Sequence, residues 1–247
     1  MHILKAEEAY QHGKGMVALT VRRPGMIWHN ENQEDLAFGP LSRIDHAHLR
    51  KGVVIKMHEH RNDEIFSYMW KGKMLHKDST GEEVVISPSK LMMMGAGKSF
   101  FHEEATPYEA VEMLQIIIRP EQEDLEPEVQ FYERNVVVNG QWNVLAGPEY
   151  MDPPLRIRQQ VAVFDLHGNA GDTVTVPTME NMTPWLYVMD GEVKIGNAAL
   201  QKGDAATPEN GEELDTITLT KDSTLVLFLV NLEAKMTFKG NFSGVKK

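Results

Sequence analysis

The stretch MHEHRND sets two histidines, His58 and His60, either side of one residue. In an extended strand, side chains i and i+2 point the same way, about 6.5–7 Å apart. Two imidazoles so placed can turn onto one ion through metal–nitrogen bonds of roughly 2.0–2.1 Å. A single strand rarely offers more, so a metal site needs donors from a neighbouring strand. The stretch MGAGKSFFHEE supplies a matching pair, His102 and Glu104, again i and i+2 and preceded by a Gly-rich turn. Three imidazoles and one carboxylate leave open positions on a divalent ion. The chain has no cysteine, so disulfides, thiolate catalysis and Cys-based zinc sites are excluded.

Ten histidines make chance pairs inevitable, and DHAH holds a second H-x-H, His46 and His48. It lacks the flanking frame of the first pair, and both residues are expected at the surface or a strand edge. Glu59 and Glu103 alternate away from the ligand faces and are not expected to ligate. Alternation puts Lys56 on the face of His58. There it either presents a cation at a substrate mouth or, as favoured here, lays its stem along the surface. His76 opens a turn in which Asp78 and Ser79 can bond the backbone, a structural role in preference to a catalytic one. In LMMMGAG, alternation sends Met92 and Met94 one way and Met93 the other, which fits core packing better than a copper motif.

These residues must be carried by strands. Short β-rich runs recur between Gly, Pro, Asn and Asp, among them GVVIKM, EIFSYMW, LQIIIRP, VAVFDL and STLVLFLVNL. Such spacing predicts an all-β sandwich or barrel. One short helix is expected near EDLEPEVQFYE, interrupted by Pro127. The segments 65–76 and 185–196 share an aromatic-apolar strand, a glycine turn (Gly72, Gly191) and a second strand, as a tandem duplication would produce. A Gly- and Pro-rich connection near 135–155 divides the 247 residues into domains 1–135 and 136–247.

Hydrophobic residues make up 42%, enough for a real core, while a net charge of −11 argues against a duplex-DNA surface. The opening MHILKAEEAY has no cationic start followed by an apolar run. No apolar stretch nears the roughly 18 residues that a membrane helix needs. A cytoplasmic monomer or weak dimer is expected, with no membrane and no nucleic-acid partner.

Gly52, five residues, His58-x-His60, three residues and Glu64 resemble the first half of the cupin pattern, although Gly72 closes it one residue late. Beyond this, the chain resembles the pirin family, bicupins that include bacterial quercetin 2,3-dioxygenases. FGPLSRID, HEHRNDEIFSYMWKGKMLHKDSTG, MGAGKSFFHEE and LQIIIRPEQEDLEPEVQ carry the likeness in the first half. LRIRQQVAVFDL and WLYVMDGEV carry it in the second. The resemblance implies two tandem cupin barrels, with His58, His60, His102 and Glu104 as ligands of one divalent transition metal. Iron leads that choice, with Mn, Co, Ni, Cu and Zn as further members. It also implies that Glu64 lies near the site without ligating, either as a hydrogen-bond acceptor for a ligand imidazole or as a strand-edge carboxylate. The second barrel, whose only histidine is His167, should be metal-free.

The chain departs from the family pattern at Glu59, Ser99, Glu103 and Ile117, which puts the pocket lining in question. The activity implied is dioxygenation of a flavonol-like substrate by dioxygen, with Glu104 as base. The other reading is a metal-binding regulatory protein that binds a protein partner, such as a transcription factor or metabolic enzyme, without turnover.

Overall fold

A computed structural model of the chain describes every residue except 210, 211, 213 and 215. Its described residues form two barrels, each a seven-stranded sheet closed by a four-stranded one. In the first barrel the large sheet runs in the order Glu128–Glu133, Lys90–Gly95, Glu64–Lys71, Val111–Ile118, Leu41–Leu49, Val17–Arg22, Tyr10–His12. The small sheet facing it runs Val54–His60, Phe100–Ala105, Met74–Asp78, Glu83–Ile86. The second barrel repeats this plan, with Thr183–Asp190, Ser223–Val230 and Val161–Gly168 at the centre of its large sheet.

The two similar segments occupy equivalent places. In each, a central strand of the large sheet passes through a glycine into a strand of the small sheet. Gly72 (φ 83°) and Gly191 (φ 88°) both take the left-handed backbone there. A Cβ would strike the Ala110 carbonyl in the first case and Ser223 in the second, so only glycine fits.

The large sheets pack back to back, so their central strands are covered on both faces and read as unbroken apolar runs. Ser223–Val230 is buried at all eight positions. One continuous core cluster includes Phe66, Tyr68, Ile116, Tyr187 and Phe228, drawn from both barrels. Polar groups in this layer are paired across it. Arg134 makes two hydrogen bonds to Asp165 (2.7 and 2.8 Å), and the Tyr68 hydroxyl donates a third at 3.0 Å. Burial pushes the Asp165 carboxyl up, but the bonds from His167 and Arg134 outweigh it and hold it below its ordinary value. Burial raises the Tyr68 hydroxyl well above its own.

Two expectations need correction. The helix near EDLEPEVQFYE is absent: Glu128–Glu133 is an edge strand paired with Lys90–Gly95. Pro127 cannot donate a helical hydrogen bond, and the pairing supplies partners that an isolated turn would lack. The ends of the chain also depart from a division at 135. His2–Leu4 pairs with Ala205–Thr207 in the second barrel, and the segment after Val230 returns to the first, where Ser42 Oγ and Arg119 Nε both donate to the Ser243 carbonyl at 2.8 Å.

Replacing Arg134 with Met should cost about 3 kcal/mol in urea unfolding at pH 7, because it strands a buried carboxylate. The folded pKa of Asp165 is depressed, so its stabilisation is complete above about pH 4 and fades as pH falls through the folded value. The gap between wild type and Arg134→Met should therefore narrow in acid; a gap that stays constant to the acid limit would contradict this role.

Candidate metal centre

The small sheet of the first barrel brings the four candidate residues to one inner face. His58 pairs directly with His102 across adjacent strands. The Nε2 atoms of His58, His60 and His102 lie 3.1 Å from one another in all three pairings. His60 and His102 are buried and His58 is half-buried, so the approach from solvent lies on the His58 side.

Two of the rings have fixed tautomers. His58 Nδ1 donates to the Lys56 carbonyl at 3.0 Å, and His60 Nδ1 donates to Asp63 Oδ2 at 3.3 Å. Their Nε2 lone pairs therefore face each other. Such an array is repulsive unless a cation lies among the nitrogens. A spacing near 3.0 Å is the ligand edge of an octahedral ion with bonds of roughly 2.1 Å. Burial, then the neighbouring His60 and His58, pushes His102 down to about 2, so it stays a neutral donor. The residues present fit a divalent metal ion.

Glu104 is buried beside this triad, but its carboxylate does not come within 4.8 Å of all three nitrogens. Burial pushes it up, and the nearby imidazoles only partly offset this. Gln115 Nε2, reaching across from the large sheet, donates to its two oxygens at 3.4 and 3.5 Å. Ser67 pairs with Gln115 and so faces the same interior; its buried hydroxyl has no partner. Ile117, two residues on, is buried on that face. His76 lies opposite Glu104. Its Nε2 is held by Asp78 at 2.9 Å, while its Nδ1 is buried and unpaired.

Several neighbours differ from what alternation suggests. The register slips between the pairs His102–His58 and Glu104–Ile55, so Lys56 and Met57 together oppose Glu103. This bulge puts Ile55, in place of Lys56, level with Glu104 and leaves the Lys56 side chain exposed. It also frees the Lys56 carbonyl to accept from His58. Glu64 is neither an acceptor for an imidazole nor a free edge carboxylate; it pairs with Arg158 of the second barrel at 2.8 Å. The acceptor is Asp63. Asn62 takes a left-handed turn (φ 50°) that folds Asp63 back under His60.

The backbone amides of Phe242 and Ser243 donate to Asp63 in turn, Ser243 at 2.8 Å. The Phe242 ring covers His60 with centroids 4.7 Å apart. Sequence spacing could not show Phe242, although Asp63 stands three residues after His60 in plain view.

Ser99 points outward and donates to Glu59 at 2.7 Å. Two departures from the family pattern thus meet on the outer face, away from the interior. His46 is buried against Tyr187 of the second barrel, contrary to a surface placement, because its strand face is covered by the other sheet. His48 is exposed. His167 is bound to Asp165 and Thr224 in the layer between the barrels. A groove of about 610 Å³ lined by Glu121, Tyr150, Arg156 and Gln160 lies apart from all these histidines. No helix among the described residues is long and apolar enough to cross a membrane.

Two closed barrels with converging imidazoles inside the first define a bicupin with a metal-type centre. Residues 18–118 match the family model described as Pirin, and residues 144–230 match one described as the quercetinase C-terminal cupin domain. The chain belongs to the pirin family.

It is 31% identical over 179 residues to a Zymomonas mobilis protein whose name assigns it provisionally as a quercetin 2,3-dioxygenase, an alignment covering 69% of this chain and 74% of that one. It is 25% identical over 195 residues to quercetin 2,3-dioxygenase of Escherichia coli, covering 78% and 83%. The crystal structure of the bacterial pirin YhhW from Escherichia coli in complex with nickel(II) superposes with a TM-score of 0.80 at 21% identity, covering 93% of this chain and 98% of that one.

Metal retained through dialysis and measured by elemental analysis should fall toward zero in His58→Ala and His102→Ala. Asp63→Asn should weaken binding by about 10–100-fold, because it unsettles the tautomer of His60. Unchanged retention in Asp63→Asn would show that the carboxylate serves only the segment after Val230.

Proposed function

We propose that the chain is a metal-dependent dioxygenase of the quercetin 2,3-dioxygenase type, acting on a flavonol-like substrate with dioxygen. The observation that carries this reading is the convergence of three imidazole nitrogens beside a buried carboxyl. Under it, His58, His60 and His102 hold one divalent ion and Glu104 completes the set. The names of the two sequence relatives support the substrate class, and the nickel(II) complex of the structural relative supports a divalent ion. When bound, the ion supplies Lewis acidity, lowering the pKa of a coordinated hydroxyl.

The chain's own residues do the rest. Glu104, buried beside the triad, accepts the proton of the substrate's hydroxyl. Gln115 holds Glu104 in place from the opposite sheet, and the free hydroxyl of Ser67 offers a hydrogen bond to a substrate oxygen. Ile117, Met92 and Ile65 give an apolar wall for a flat aromatic ring and limit water.

One observation favours a second reading, a metal-dependent site for a protein partner. Met57 and Phe101 lie exposed on the two ligand-bearing strands, with Val54 at the start of one of them. An apolar fringe of this kind suits a contact surface as well as a substrate mouth.

Oxygen uptake with quercetin separates the two. Wild type reconstituted with iron, manganese, cobalt, nickel or copper should consume oxygen. Glu104→Gln should lose about 10²–10⁴-fold in rate while keeping most of its metal, since glutamine offers an oxygen but accepts no proton. His58→Ala should lose both. No uptake with any of these ions would remove the enzyme reading and leave the partner reading to be tested by metal-dependent capture.

A further inference from the structure

The seam between the barrels carries a second group of metal-type donors, on the large sheet of the first barrel, whereas the first group lies on the small one. His46 and His48 lie i and i+2 on Leu41–Leu49, with ring centroids 4.8 Å apart and planes 20° from parallel. Glu112 on the neighbouring strand pairs directly with His48. Its Oε1 lies 2.9 Å from His46 Nε2 and 3.7 Å from His48 Nε2. The three donor atoms all fall within 4.8 Å of one another. A tetrahedral ion with bonds of roughly 2.0–2.1 Å has ligand edges of about 3.3 Å, and both edges to Glu112 already lie close to that length.

A cation already sits at this carboxylate. Lys202 of the second barrel places its ammonium 2.6 Å from Glu112 Oε1 and 3.3 Å from Asp190, over the face of Trp70. The Lys202 side chain is part-exposed and can swing into solvent. The place that holds its positive charge is thus flanked by two imidazoles and two carboxylates, a donor set richer than an ammonium requires. Behind His46, its Nδ1 is 2.9 Å from the Tyr187 hydroxyl. With a metal on Nε2, Nδ1–H would donate to that oxygen, the outer support that ligating histidines ordinarily have.

We propose that His46, His48 and Glu112 form a second divalent-cation site, of the borderline class that zinc represents, at the seam of the two barrels. Asp190 of the facing barrel is the reachable fourth donor, and Lys202 is a built-in competitor that fills the site when no ion is bound. Binding expels the ammonium and ties a strand of one barrel to the next through the ion. The site is independent of the centre inside the first barrel, shares no residue with it, and does not depend on the activity proposed above.

The test uses the full chain with its first site saturated. Zinc is then titrated by calorimetry, with elemental analysis of the end point. Wild type should take up a second equivalent more weakly than the first. His48→Ala, at an exposed position where folding is not at stake, should weaken that second equivalent by at least about tenfold while leaving the first unchanged. Lys202→Gln should tighten it by about tenfold, because it removes the competing charge. That opposite pair of shifts is what a merely structural hydrogen-bond network would not give. One equivalent only, in both wild type and Lys202→Gln, would overturn the proposal, as would a second equivalent indifferent to both His48→Ala and Glu112→Gln.

Discussion

Three imidazole nitrogens held 3.1 Å apart repel one another, and two of the three rings are held there by an acceptor behind them. Much of the first barrel serves that arrangement. The bulge at Lys56 and Met57 breaks the ladder at the one place where a carbonyl is needed for His58. The left-handed turn at Asn62 delivers Asp63 to His60. Asp63 is buried and would be costly alone, so two backbone amides of the segment after Val230 satisfy it. That segment is pinned in turn by Ser42 and Arg119, and Arg119 is fixed by Asp35 through bonds of 2.6 and 2.8 Å. The ligand geometry is therefore supported by residues far beyond the strands that carry it.

The layer between the barrels follows a different logic. Its apolar area supplies the cohesion, while its charges set the register in which the large sheets meet. Glu64 to Arg158, Asp165 to Arg134 and Glu112 to Lys202 each join one barrel, or its connecting segment, to the other. A slip of two residues in either sheet would strand several of these groups in an apolar layer. Buried ion pairs contribute little net stability, and their clearer effect here is on uniqueness of packing.

How much of this could be read from the residues depends on the range of the interactions. Short β-rich runs between turn residues revealed the strands, because most of them bury at least one face. The glycine turns at 72 and 191 exposed the duplication, because two equivalent crossings meet the same steric limit. The pairing of His58 with His102 was legible as two matching i, i+2 donors. Three features escaped. The bulge shifts Lys56 by one place, and a one-residue slip leaves no trace in composition. The burial of His46 comes from the second barrel, whose docking no local pattern records. Glu64 drew attention through its place in a motif, whereas Asp63, one residue earlier, holds the imidazole and Glu64 meets an arginine 94 positions away. Glu128–Glu133 reads as helix only if its edge pairing is ignored.

Translation proceeds from the amino end, and this gives the return of residues 241–243 to the first barrel a meaning in time. The strands bearing His58, His60 and His102 are synthesised, and free to close into a barrel, well before Phe242 and Ser243 exist. Until the second barrel has been made and the chain doubles back, Asp63 has no amide donors and His60 lacks both its settled buttress and its aromatic cover. An ion that arrives early meets a looser cage than one that arrives late. The order of synthesis thus places the tightening of the centre after the folding of both halves, and makes the finished cage a sign that the whole molecule has been assembled.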